Sequence, residues 1–517
     1  MKDLFLAVDV GTQSIRAIVF SADGSIAIQN RVFIEPYFST KPGWAEQRPE
    51  YFYEKLCETT LALFRQNSQY AGRIRACGIT TQRCTVVNVD KNGNPLRPAI
   101  VWPDQRRTDK IRKITGIMGI ALRLIGMHET VRFAQSESEL NWLHAFQPEI
   151  MEKTHKYLYL SGYLLFRMTG RFIDSTASQV GYVPFDYKNF TWYNKKDWHW
   201  TAFPVDRDKL VDLAEPSALI GTISSRVSSE TGIPAGTDII ASGSDKTCEF
   251  LGTGCLSPEK AGISFGTTAT IGTYSKKYFE ATPFIPPYPS AIPGMYNAEF
   301  QIYRGFWLVS WFKNEFGIRE IEKAEKAGTA PEVFLNELLD EAPAGSLGLM
   351  LQPTWSPGVK IPGPEAKGAI IGFGDAHTRA HMYRSIIEGL CFGLKSGGER
   401  IQKSSKIPFT EIRVSGGGAQ SPRTLQITAD IFNLPVIKPH VHDTSSLGVA
   451  IDCAVGCKIY PDFEHAVHGM TRIDTVFYPE SANVALYKRL YEEVYIHIYE
   501  KLKSYYQKIR EITGYPD

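Results

Sequence analysis

Apolar and polar positions fall into short runs separated by turn residues. Residues 4–10 are apolar nearly throughout, Gly11-Thr12 interrupts them, and a second run covers 15–20. Ser21-Ala22-Asp23-Gly24 has the composition of a hairpin turn, and 25–34 reads as a third strand. This pattern predicts an antiparallel meander of three strands. The period then changes to a helical one over 49–64, which starts on a proline, a residue suited to a first helical turn. Strands are expected at 74–80 and 86–90, and helices at 136–146 and 163–168. The aromatic stretch 182–200 has no clean period and reads as loops near a cleft.

The strand pattern restarts near residue 246. A short strand over 238–242 ends at Gly243-Ser244-Asp245, and strands at 261–265 and 269–274 flank Gly266-Thr267-Thr268. Strand, Gly-Thr turn, strand therefore occurs twice, as an internal repeat at domain scale. A proline-rich loop is expected over 283–293. A long helix follows at 379–402, then a strand at 411–414, a glycine turn at 416–418, a helix at 422–432 and an amphipathic helix over 484–509. The expected class is α/β in two domains, 1–246 and 247–517.

Length agrees with that division, because 517 residues exceed one ordinary core. A net charge of +2 calls for neither nucleic acid nor an anionic membrane as partner. The first apolar run is cut by Asp9, too early for a signal peptide, and no run is long enough to span a bilayer. The eight cysteines form no C-x-x-C pair and read as reduced thiols, so a cytoplasmic location is expected.

Four segments could carry chemistry. In Asp9-Val10-Gly11-Thr12-Gln13-Ser14-Ile15-Arg16, a strand-end carboxylate can help hold Mg²⁺, and the Gly turn brings N–H and hydroxyl donors to phosphate oxygens. A plain hairpin is the alternative. Gly266-Thr267-Thr268 repeats that chemistry, and two such hairpins, one per half, read as a clamp on a polyphosphate. Ser415-Gly416-Gly417-Gly418-Ala419 lies between a strand and a helix, where glycines let a flat ligand rest on backbone. Asp245, in Gly243-Ser244-Asp245-Lys246, is either a general base or a helix N-cap. Phosphoryl transfer needs phosphate donors, a metal and an oriented nucleophile, and there is a candidate for each. His377 and His381 lie one helical turn apart, but a zinc site needs more ligands, so they read as a helix start.

In this order the segments resemble the FGGY carbohydrate kinases of the sugar kinase, actin and Hsp70 superfamily. The resemblance also rests on Gly43-Trp44-Ala45-Glu46-Gln47-Arg48-Pro49, Gly78-Ile79-Thr80-Thr81-Gln82-Arg83, Trp102-Pro103-Asp104-Gln105-Arg106 and 368–388. It implies two ribonuclease H-like, actin-like ATPase domains, with ATP and a small sugar or polyol in the cleft between them. By position, Asp245 would be the catalytic base, and Asp9 and Asp245 would lie at the Mg²⁺. Gly11, Thr12, Gln13, Ser14, Arg16, Gly266, Thr267 and Thr268 would meet phosphates, and Gly416, Gly417, Gly418 and Ala419 the nucleoside. Trp44, Arg83, Cys84, Trp102, Asp104, Asp245 and Lys246 would line the acceptor pocket. The resemblance also allows a homodimer.

The chain departs from the family pattern at several positions. Glu139 stands where the family signature expects Lys. Cys84, Ala134 and Lys246 stand where the glycerol kinase branch has Glu, Tyr and Gln. An acceptor larger than glycerol is therefore expected: a pentulose, a longer polyol or an acidic sugar. The alternatives are a glycerol kinase, or a non-kinase ATPase or sugar sensor on the same fold.

Overall fold

The structure is a computed structural model that describes residues 4–283, 285–356, 358 and 362–515. Residues 1–3 of the N-terminal reading and Phe284 of the proline-rich loop lie outside these.

The meander predicted at the start of the chain is present. Strands Leu4–Val10, Ser14–Ser21 and Ile26–Phe33 pair antiparallel in sequence. Ile74–Thr81 adds in parallel to the first strand, and Asp238–Ile240 in parallel to that. Leu219–Thr222 closes the edge antiparallel, giving a six-stranded sheet. Burial explains the unbroken apolar run at 4–10. Leu4, Leu6, Val8 and Val10 face a core shared with Phe52, Leu56 and Leu63 of helix Pro49–Gln66. Phe5 and Ala7 face Leu447, Val449 and Ile451 of helix Thr444–Gly456. A central strand covered on both faces cannot alternate, whereas the edge strand Ile26–Phe33 does. Asp9 belongs to the odd-numbered face and so points toward a helix encoded more than 400 residues later.

The second sheet repeats the first. Lys260–Phe265, Ala269–Ser275 and Tyr296–Ile302 form its meander. Glu411–Ser415 and Val436–Pro439 add in parallel, and Ile473–Phe477 closes antiparallel. Tyr288–Pro289, within the stretch expected to be loop, pairs at the far edge as a seventh strand. The two Gly-Thr turns thus sit at equivalent corners of two sheets of like topology, as the internal repeat predicts.

Two helices join the halves. Asp245–Gly252 and Thr444–Gly456 cross with their backbones almost touching. A β-carbon on Gly252 would lie 1.9 Å from the Thr444 carbonyl oxygen, and one on Gly448 2.0 Å from that of Cys248. Only residues without a side chain allow this approach.

Some boundaries differ from expectation. The helix expected over 136–146 is two, His128–Glu137 and Glu139–Phe146, broken at extended Ser138. The last helix runs from Ser481 to Thr513 through a π-helical segment, Leu490–Tyr495. His377 and His381 do mark a helix start: the Thr378 amide donates to His381 Nδ1 at 3.2 Å, closing a capping box. Among the described residues no helix is long and apolar enough to cross a membrane.

Candidate active site

The first hairpin places Asp9 opposite Arg16. Arg16 Nη2 lies 3.1 Å from Asp9 Oδ2, and the Ser445 hydroxyl donates to the same oxygen at 2.6 Å. Arg16 Nη1 reaches Asp443 at 2.6 Å, and Arg31, beside Arg16 on the next strand, reaches it at 3.3 Å. Asp9 first, with Asp443 adding, holds the Arg16 guanidinium above its ordinary range. Arg16, expected at the phosphates, thus bridges carboxylates of both halves. Asp9 Oδ2 is occupied, while Oδ1 faces the turn, 4.0 Å from where a Gly11 β-carbon would stand. The turn closes through Gly11 N–H to the Ser14 carbonyl at 3.1 Å, leaving Gln13 exposed at its tip.

Thr12 links this hairpin to Gln82 and Trp102. Its hydroxyl donates to Gln82 Oε1 and accepts from Trp102 Nε1, both at 2.9 Å. Gln82 was not singled out as a site residue by sequence. Its Nε2 is buried with no partner among the described residues, an orphan donor of the kind an oxygen-rich ligand satisfies.

Asp245 is delivered by the parallel pairing of Asp238–Ile240 with Ile74–Thr81, which also carries Arg83 on its tail. The N-cap position falls to Ser244, and Asp245 is the first helical residue, so the cap reading does not hold for it. Its Oδ1 accepts from the Lys246 amide at 2.8 Å. Burial raises its pKa, Lys246 and Arg83 oppose this, and the result is above the ordinary aspartate value. Arg83 Nε lies 3.9 Å from Asp245 Oδ1 and donates to Ser244 Oγ at 3.0 Å. Its Nη2 donates to Thr247 Oγ1 at 3.3 Å, and its Nη1 is paired with Glu299. The guanidinium lies over the Tyr288 ring at 5.1 Å.

Glu299 and Tyr288 come from the second sheet, and sequence reasoning missed both. Asn297, Glu299 and Gln301 are polar at two-residue spacing along one strand, a signal that could have found the first.

Other predicted residues divide differently. Lys246 Nζ lies 2.9 Å from Glu249 and 2.6 Å from Ser264 Oγ, and 3.5 Å from where a Gly266 β-carbon would be. It thus stands beside the second hairpin. Cys84 has a left-handed backbone, φ 53°, and donates to the Val180 carbonyl at 3.3 Å. Burial first, then Glu139, pushes its thiol up to about 12, so it is neutral at physiological pH. Trp44 and Asp104 belong to a cluster centred on Arg106. Asp104 accepts from Arg106 Nε at 2.7 Å and from the Ala45 amide at 2.6 Å, and the Trp44 ring lies 3.9 Å from the Arg106 guanidinium.

The second hairpin is pinned from behind. The Gly266 carbonyl accepts from the Phe306 amide at 3.0 Å, Thr268 Oγ1 donates to the Tyr303 carbonyl at 3.2 Å, and Thr267 is exposed at the tip. The adjacent parallel strand ends in the glycine loop. Gly416 has φ 79°, and a β-carbon there would lie 2.8 Å from Phe265 backbone. One on Gly418 would meet the Phe306 ring at 2.2 Å, but one on Gly417 would meet nothing within 4 Å. Gly417 is therefore the open face of the loop, while Ala419 is buried. A single 3₁₀ turn follows, and Ser421 caps the next helix by accepting from Thr424 N–H.

Among the described residues no group of three His, Cys, Asp or Glu side chains could cage a metal. A Mg²⁺ carried with nucleotide phosphates needs only one or two carboxylates. Asp9, with one oxygen turned toward the hairpin, fits that requirement.

The family model for the N-terminal domain of the FGGY family of carbohydrate kinases matches residues 4–252, and that for the C-terminal domain matches 261–457. The uncharacterized sugar kinase YgcE of Escherichia coli (strain K12) is 28% identical, covering 100% of this chain and 98% of that protein. The xylulose kinase of Bacillus subtilis (strain 168) is 27% identical over 96% of this chain and 97% of its own. Among solved structures, a ligand-bound xylulose kinase from Lactobacillus acidophilus aligns with TM-score 0.81 at 22% identity, covering 98% of this chain and 99% of that one. A gluconate kinase from the same organism aligns at 0.82 and 21%, with the same coverage. The fold is that of two actin-like ATPase domains.

Proposed function

The chain belongs to the FGGY family of carbohydrate kinases, and we propose that it phosphorylates a hydroxyl of a sugar or polyol of pentulose size with Asp245 as the base. The family implies ATP as phosphoryl donor. The observation that carries the proposal is the position of Asp245. It begins a buried helix at the junction of the two sheets, 3.9 Å from Arg83, with a carboxyl raised by burial. A carboxylate poised in this way takes the proton from a hydroxyl as that hydroxyl attacks phosphorus.

Geometry supports further roles. The tips of the two hairpins, at Thr12-Gln13 and Thr267, would donate to the phosphates from opposite domains, and Gly417 would underlie the nucleoside. Lys246, beside Gly266, would add positive charge on the phosphate side. Asp9 would hold a nucleotide-borne Mg²⁺, whose charge offsets that of the phosphates when bound. Closure of the two domains would exclude water and so limit ATP hydrolysis.

Cys84 and Ala134 replace larger polar residues of the glycerol kinase branch, which leaves room for a larger acceptor. The similarity to xylulose kinases agrees with it. We also propose that the domains divide about helix Asp245–Gly252. The test is ADP release against a panel of ketoses, polyols and sugar acids, with Asp245→Ala as control. Glycerol giving the highest kcat/KM would overturn the size reading. Acceptor-independent turnover that survives Asp245→Ala would favour a non-kinase ATPase.

A further inference from the structure

Resting on the kinase reading above, we propose that Glu299 sets the charge class of the acceptor, neutralising Arg83 so that the pocket takes neutral ketoses or polyols and refuses sugar acids. An acidic sugar would need a free cation to meet its carboxylate, and a guanidinium able to bind in a forked manner is the best partner. Arg83 is the guanidinium nearest the base, and its fork is already engaged. Nη1 is paired with Glu299, Nε with Ser244 and Nη2 with Thr247.

Glu299 is not free to swing away. Gln301 Nε2 donates to its Oε1 at 2.6 Å and Asn297 Nδ2 to its Oε2 at 2.9 Å. All three residues project from one face of strand Tyr296–Ile302, so the sheet itself fixes the carboxylate against Arg83. The pair is sheltered, with side-chain exposures of 10% for Arg83 and 3% for Glu299. A second carboxylate arriving at Arg83 would join Glu299 and Asp245 around a single positive charge, and like charges in a buried site repel strongly.

The other nearby cation, Lys246, is paired with Glu249 on the phosphate side. Neutral hydroxyls suit this arrangement, since they donate to carboxylates and accept from the remaining Arg83 N–H groups.

The experiment compares D-xylulose, D-ribulose and xylitol with D-gluconate as acceptors for the full chain and for Glu299→Gln, by ADP release. The wild type is expected to favour a neutral acceptor over gluconate by about 100-fold or more in kcat/KM, and Glu299→Gln to narrow that ratio about tenfold. Gluconate as the best wild-type acceptor would overturn the proposal. So would an unchanged ratio in a folded Glu299→Gln. Should that variant not fold, Glu299→Asp, which keeps the charge but shortens its reach to Arg83, supplies the second arm, with a narrowing in the same direction expected and an unchanged ratio again overturning it. Calorimetric binding of xylulose and gluconate to the wild type, without nucleotide, separates the two claims. Neutral sugars binding tighter than gluconate without any ADP release would support the charge assignment and count against the kinase acceptor reading. Gluconate binding at least as tightly would overturn the charge assignment whatever the turnover.

Discussion

The guanidinium of Arg83 stands 3.9 Å from the carboxylate of Asp245, the first on the tail of a strand in the first sheet, the second opening the helix that leaves it. Burial drives Asp245 up, and Lys246 and Arg83 pull it down. In Arg83→Gln the second of these pulls disappears and Asp245 titrates higher. The base acts in its ionised form, so the acidic limb of kcat/KM against pH should move to higher pH. Profiles of wild type and variant check this, and a limb that stayed in place would dissociate Arg83 from the base.

The glycines separate structure from ligand contact. Gly252→Ala would drive a methyl into the Thr444 carbonyl at 1.9 Å, and an overpacked helix crossing of this kind costs about 1–3 kcal/mol or more. Gly417→Ala meets nothing within 4 Å, so unfolding in denaturant should change by less than about 0.5 kcal/mol. The same variant should raise the KM for ATP, because its methyl occupies the proposed nucleoside bed. Equal losses of stability in the two variants would contradict this division.

Lys246 is expected to act on the donor rather than the acceptor. Its ammonium bonds Glu249 and Ser264 and borders Gly266. Lys246→Gln should raise the KM for ATP several-fold while leaving that for the acceptor within about twofold. Steady-state kinetics with each substrate varied in turn decides it, and the reverse split would return Lys246 to the sugar pocket.

Glu139 makes stability depend on pH. Burial raises its carboxyl from 4.5 to about 7, so the folded chain holds a proton that the unfolded chain releases. This contribution is complete below the unfolded value and is lost as pH rises through about 7. Buried Asp174, raised to about 7 as well, acts with the same sign. Denaturant unfolding between about pH 5 and pH 8 should show stability falling, with Glu139 accounting for on the order of 1–3 kcal/mol. Glu139→Gln should flatten the slope without abolishing it. A slope left unchanged would mean that the carboxyl ionises freely in the folded state.

Much of the architecture was legible because it is written locally. The Gly-Thr corners, the glycine loop and the start of the Asp245 helix each lie within about ten residues of their own turn signals, and the repeated hairpin gave the two-sheet plan. What escaped was long-range. Glu299 reaches Arg83 from 216 residues away, and Ser445 reaches Asp9 from 436. Nothing near Arg16 reveals that Asp443 will share it. Trp44 and Asp104 carry the chemistry of a sugar pocket, yet Arg106, two residues beyond Asp104, engages them both. The break at Ser138 was hidden for a different reason, since apolar periodicity continues on both sides of one extended residue.

Helix Thr444–Gly456 supplies one face of the first sheet through Leu447, Val449 and Ile451. That face is completed by residues translated some 200 positions after the sheet's own helix, Asp245–Gly252. At a synthesis rate of about 5–20 residues per second, the N-terminal half waits on the order of 10–40 s on the ribosome with an apolar surface unclosed. The two halves therefore cannot mature in turn as independent beads. The first reaches its final form only when the second has nearly been made, and a chain stopped before residue 444 should emerge as a client for chaperones.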